Sequence, residues 1–111
     1  MSRAVLARLE RGRFRVAGDL DFAGVAALVG ESKQLFADGG DIYVDLADVA
    51  HANSAGLAIV LDWLARARRE GRRLFLVNLP ESMCRLAELS NLEDLIGSVP
   101  MGSTAGPRPT P

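Results

Sequence analysis

A chain of 111 residues, 49% of them hydrophobic, is long enough for one compact core and too short for two ordinary domains. The formal net charge of −1 excludes a global pull toward nucleic acid or acidic lipid, so a partner must be sought in a local patch. Cys84 is the only cysteine, which excludes an intrachain disulfide and a cysteine-cluster metal site and suits a reducing compartment.

In chain order, "AVLARLE" and "RFRVAGDL" flank Arg11-Gly12, and Phe14 and Val16 alternate with Arg13 and Arg15 as in a half-buried strand, which predicts an opening hairpin. Asp21 is placed to cap a helix in which Phe22, Val25, Leu28, Val29, Leu35 and Phe36 recur at helical spacing until Gly39-Gly40 stops it. A strand, "DIYVDL", follows. The next periodic run, over residues 54–69, carries Leu57, Val60, Leu61 and Leu64 on one side and ends before Gly71. "RLFLVN" reads as a short apolar strand, and Asn78 with Glu81 has capping-box spacing ahead of a helix containing Met83, Leu86, Ala87 and Leu89. A last short helix is predicted over residues 92–96.

From Gly97 the composition turns to Gly, Pro, Ser and Thr, which predicts a domain over residues 1–97 and a flexible tail over 98–111, with Val99 available to a sheet edge. The order of elements predicts an α/β fold, a small sheet of about four or five strands with helices packed against it. The strand-helix-strand passages between Ile42 and Val77 require parallel neighbours. No apolar run reaches the length of a membrane span and the N-terminus lacks the apolar core of a signal peptide, so the expectation is a soluble cytoplasmic protein.

The stretch "HANSAGLA" sets the only histidine, His51, three positions before Ser54. A hydrolase would need that imidazole on the hydroxyl, a third group to orient it and an oxyanion hole, and the chain has no G-x-S-x-G elbow. The ordinary reading of His51 is a partly exposed turn residue. Metal-ligand spacing and phosphate-binding glycine loops are both missing, so no cofactor is expected.

The basic run "RARREGRR" reads as a helix C-terminus whose cations complement the dipole; without interleaved aromatics it does not predict a nucleic-acid site. Trp63, one turn beyond Ile59, serves either the core or a partner's pocket. At the start of the helix over residues 54–69, Asn53 or Ser54 is placed to cap the open amides. A phosphate on Ser54 would be tolerated by the same amides and dipole.

Three stretches, "GDLD" at 18–21, "VDLADVAHANSAGL" at 44–57 and "LVNLPESMCRLAELSNLEDLI" at 76–96, resemble the STAS domain family of sulfate transporters and anti-sigma factor antagonists. The resemblance implies a non-enzymatic binding module whose regulatory hydroxyl, at the start of the second helix, falls on Ser54. Many members carry Asp before that hydroxyl, where this chain has Asn53. From Ser54 onward, through the Leu-Ala-x-Leu-x-Asn-Leu ending at residues 86–92, the chain is similar to the MlaB-type STAS subunit of the Mla phospholipid transport system. This implies a partner, the ATPase subunit of an inner-membrane ABC transporter that also contains a permease. Membrane association would then be indirect, and outer-membrane lipid asymmetry the process served. The implied contact residues are Asn53, Ser54, Ala55 and Gly56, with Trp63 as a possible anchor. The alternative is an anti-sigma factor antagonist switched by phosphorylation at Ser54.

Overall fold

The computed structural model describes residues 4–91. Strands β1 (Val5–Glu10) and β2 (Arg13–Leu20) form the expected hairpin, paired Leu6 to Val16, with a bulge between Arg8 and Glu10. Strand β3 (Ile42–Ala52) pairs parallel with β2, and β4 (Leu74–Val77) pairs parallel with β3, giving a sheet in the order β1-β2-β3-β4. Helices α1 (Phe22–Val29), α2 (Ser54–Arg69) and α3 (Glu81–Leu89) complete the expected α/β fold.

Strand alternation assigns the two faces of the sheet. Phe14, Val16, Ile42, Val44, Leu46, Leu74 and Leu76 are buried toward the helices, where Leu28, Leu57, Val60, Trp63, Met83 and Ala87 meet them. On the other face, Tyr43 and Phe75 stack across β3 and β4 with ring centroids 5.1 Å apart. The Arg13 guanidinium lies 4.5 Å from the Tyr43 centroid and that of Arg73 lies 5.8 Å from Phe75. Below them Arg15 approaches Asp45 and Asp48, so this face is covered by its own long side chains.

Several sequence expectations are corrected. The helix predicted to run from Asp21 to Gly39 breaks after Val29, and the chain continues as a 3₁₀ turn, Ser32–Phe36. The break places Leu28 and Leu35 in the core and leaves Phe22 and Val29 in solvent, so the single apolar stripe assigned there belongs to two elements. The cap itself is as expected, since the Asp21 carboxylate accepts from the Gly24 amide at 2.8 Å. The strand read as "DIYVDL" runs on to Ala52 and takes His51, exposed, out of the predicted turn.

Asn78 does not cap α3. It sits at φ 58°, donates to the Asp45 carboxylate at 3.1 Å and leaves the N-cap position to Pro80. The helix predicted over residues 92–96, the tail and Val99 lie outside the described residues.

Most of the basic run fastens the chain to itself. Arg72 donates to the carbonyls of Gly40 and Phe36 at 3.0 and 3.2 Å, and Arg73 pairs with Asp41 at 3.0 Å. Arg66 pairs with Glu70 at 3.0 Å and lies 4.4 Å from the Phe36 ring centroid. The hydrogen bond from Arg66 holds the Glu70 carboxyl below its ordinary pKa. Arg68 and Arg69 alone in this run have no ion pair among the described residues, so the solvated-cation reading holds for two of its five arginines.

Candidate functional site

Leu20 and Ala52 are register partners at the ends of β2 and β3, and two residues beyond each a helix begins. The Asn53 amide donates to the Leu20 carbonyl at 3.1 Å, tying the start of α2 to the end of β2. Asn53 is extended, at φ −119° and ψ −162°, and its Oδ1 accepts from the Ala55 amide at 2.9 Å. Its carbonyl accepts from Gly56 and Leu57 at 3.0 and 3.2 Å. Of the two candidate caps, Asn53 therefore does the work, and it does so without a charge.

That assignment frees Ser54. It is the first residue of α2, exposed, and its side chain has no hydrogen-bond partner among the described residues. No hydrogen bond joins it to His51 among the described residues, so the nucleophile-base pair that a hydrolase needs is not assembled here. The same residues contain no group of His, Cys, Asp and Glu able to hold a metal ion.

A groove of about 440 Å³ runs beside Ser54. Ala52, Asn53 and Ser54 form one wall; Ser82, Arg85, Leu86 and Leu89 of α3 form the other. Leu86 is half-buried against the core, whereas Leu89 is 78% exposed. Arg85 pairs with Glu81 one turn back at 3.2 Å, both in solvent, a contact that holds neither side chain firmly.

The other expected site residues divide by burial. Ala55 and Gly56 are buried under the first turn of α2 and shape the site from beneath. Trp63 as a partner anchor is corrected: it is 1% exposed, and its indole N–H donates to the Ser32 hydroxyl at 2.9 Å. Ser32 in turn donates to the Leu28 carbonyl at 2.9 Å, so the tryptophan braces the break after α1.

Two apolar residues of this end do not pack: Phe22, which shares the helical spacing of Leu28, and Leu89, in the same helix as Met83, are 74% and 78% exposed. The signal for Phe22 was its position directly after the cap, on the first turn, ahead of the stripe that actually packs.

Cys84, on α3, is half-buried, and burial with the nearby Glu88 and Glu81 carboxylates raises its thiol pKa. Because the thiolate is the reactive form, alkylation by iodoacetamide at pH 8 is expected to run slower than for free cysteine. A rate equal to that of free cysteine, read by mass spectrometry, contradicts this.

The parallel strands β2, β3 and β4 each lead into a helix, and the start of the second helix presents a hydroxyl with no hydrogen-bond partner among the described residues. The family described as "Mlab, STAS domain" matches residues 4–97, and the chain belongs to that family. It is similar to an anti-sigma-B factor antagonist of Bacillus subtilis (strain 168), 30% identical over 81 residues, covering 73% of this chain and 74% of that one. A Staphylococcus aureus (strain NCTC 8325 / PS 47) anti-sigma-B factor antagonist is 30% identical over 83 residues, covering 74% of this chain and 77% of its own. The fold is that of the anti-sigma factor antagonist SpoIIAA in its unphosphorylated form, with a TM-score of 0.59 at 17% identity, over 78% of this chain and 82% of that one.

Proposed function

We propose that this STAS domain is a non-enzymatic accessory subunit that docks on the ATPase subunit of an ABC transporter and stabilises or regulates it. Membership of the family described as "Mlab, STAS domain", over residues 4–97, carries this reading. In it the cargo is phospholipid, the complex includes a permease, and the protein works at the cytoplasmic face of the inner membrane. Among the described residues no helix is long and apolar enough to cross a membrane; in this reading attachment runs through the complex. Ser54 and Asn53 meet the ATPase together with the groove-facing side of α3, a shape in which an apolar floor and a free hydroxyl are presented by rigid helices. No cofactor, metal or nucleic acid enters the reading.

The curated relatives favour a second reading, an anti-sigma factor antagonist in which a kinase adds phosphate to Ser54. The capped start of α2 would accept that charge without unfolding. One experiment separates the two: affinity purification of the tagged full chain from its native membranes, with the bound proteins identified. Recovery of an ATPase with its permease supports the first reading; recovery of an anti-sigma kinase in their place overturns it in favour of the second.

A further inference from the structure

Helices α1 and α2 begin side by side, because their leading strands β2 and β3 are adjacent and end in register at Leu20 and Ala52. Adjacent strands lie about 5 Å apart, so the first turns of the two helices open onto the same end of the sheet. Phe22 is the first residue of α1 as Ser54 is of α2, and it is 74% exposed, an apolar area with no packing role in the fold. Leu89, at 78%, stands on the opposite side of Ser54. Two large exposed apolar side chains thus bracket one free hydroxyl.

Among the described residues the charge around them is chiefly negative. Asp19 and Asp21 close β2, and Glu81 and Glu88 stand on α3. Against them, among the described residues of α3, stands Arg85, already paired with Glu81. The arginines from Arg66 to Arg73 gather around the other end of α2. Asp19 and Glu88 have no partner among the described residues.

We infer that the docking face spans the starts of α1 and α2 and the groove side of α3, and that it fits an ATPase surface with apolar side chains ringed by lysine or arginine. Phe22 is its outer anchor. The inference rests on the ATPase reading above and goes beyond it by adding α1 and by fixing the chemistry of the partner surface. Apolar contacts at the centre with opposite charges at the rim combine affinity with orientation.

The test measures binding of the purified full chain to the ATPase that co-purifies with it, for Phe22→Ser, Glu88→Lys, Leu9→Ser and Ser54→Asp, each checked for fold by circular dichroism. Leu9 is the control, 50% exposed on β1 toward the opposite end of the sheet. Phe22→Ser is expected to weaken binding by about tenfold or more, as loss of an aromatic anchor does, with Leu9→Ser within about twofold of wild type. Glu88→Lys is expected to weaken binding by about threefold or more, chiefly in the on-rate and most at low salt. Phe22→Ser within about twofold, an equal loss at Leu9→Ser, or unchanged or tighter binding by Glu88→Lys overturns the inference. If Ser54→Asp still abolishes binding in that case, the face ends at α2 and α3 and the ATPase reading stands. If Ser54→Asp also binds as wild type, the Ser54 groove is not the contact either, and the ATPase is held by another face of the protein.

Discussion

Gly24→Ala is expected to lower the melting temperature by roughly 10 to 20 °C, although it adds one methyl group to a helix that would otherwise gain from alanine. Helix α1 rests directly on the end of β2. A Cβ at Gly24 would stand 1.8 Å from the Asp19 carbonyl oxygen, 3.0 Å from its carbonyl carbon and 3.2 Å from the Ala4 Cβ. The first two are backbone atoms in a paired strand and cannot swing aside as a side chain would. The helix must back away, and in doing so it strains the Asp21 cap on the Gly24 amide and lifts Leu28 from the core. Overpacking of this kind costs about 3 kcal/mol, a large part of the ~5–15 kcal/mol that holds a domain together. Gly56→Ala meets the same strand end less closely, at 2.7 Å from the Leu20 Cβ and 2.9 Å from the Leu20 carbonyl oxygen, and should lose less. Thermal unfolding followed by circular dichroism checks both. A Gly24→Ala variant melting with the wild type would mean that α1 does not sit as tightly on β2 as described.

Neither contact was legible in the sequence, because a glycine required for close approach looks like a glycine tolerated at random until the neighbouring backbone is placed. What the sequence did carry was periodicity. The alternation of Phe14 and Val16, the run from Ser54 to Arg69 and the apolar "RLFLVN" each returned the element expected of them, and their order returned the α/β arrangement. The failures lie where one local pattern has two physical uses. Asn78 three residues ahead of Glu81 imitates a capping box, but a residue at φ 58° joined to Asp45 across the sheet belongs to a strand exit. Residues 22–36 imitate one long helix because Leu28 and Leu35, both buried, stand seven residues apart, a spacing that a single helix would also give. Phe22 and Leu89 share the spacing of residues that pack, and spacing alone does not separate them from the core. Only the placement of three helices against four strands leaves them outside. Ser54 itself was found by motif; that its hydroxyl is unengaged followed only once Asn53 was seen to hold the Ala55 amide.

Ser54→Asp is expected to leave the fold intact and to remove most of the binding to the ATPase. The two effects have opposite electrostatic origins. Within the protein, the first turn of α2 contains no acidic residue, and a carboxylate there faces open amides and the positive end of the helix dipole. That is worth about 0.3–1 kcal/mol in favour of folding. Across the docking face the same carboxylate must shed its water against a partner surface, with the groove's Arg85 already committed to Glu81. A charge desolvated without a partner costs several kcal/mol, and about 3 kcal/mol corresponds to an affinity loss of roughly a hundredfold. Ser54→Ala deletes only a hydroxyl with no hydrogen bond among the described residues, so its loss should match one interfacial hydrogen bond, about 0.5–1.5 kcal/mol. Arg68→Ala, at the far end of α2, should leave the affinity as it was. Calorimetric titration of the ATPase with the three variants, beside their melting curves, separates a binding defect from a folding defect. If Ser54→Asp binds as the wild type does while melting at or above its temperature, the serine is an ordinary surface residue beside a cap, and the ATPase contact must be sought on another face.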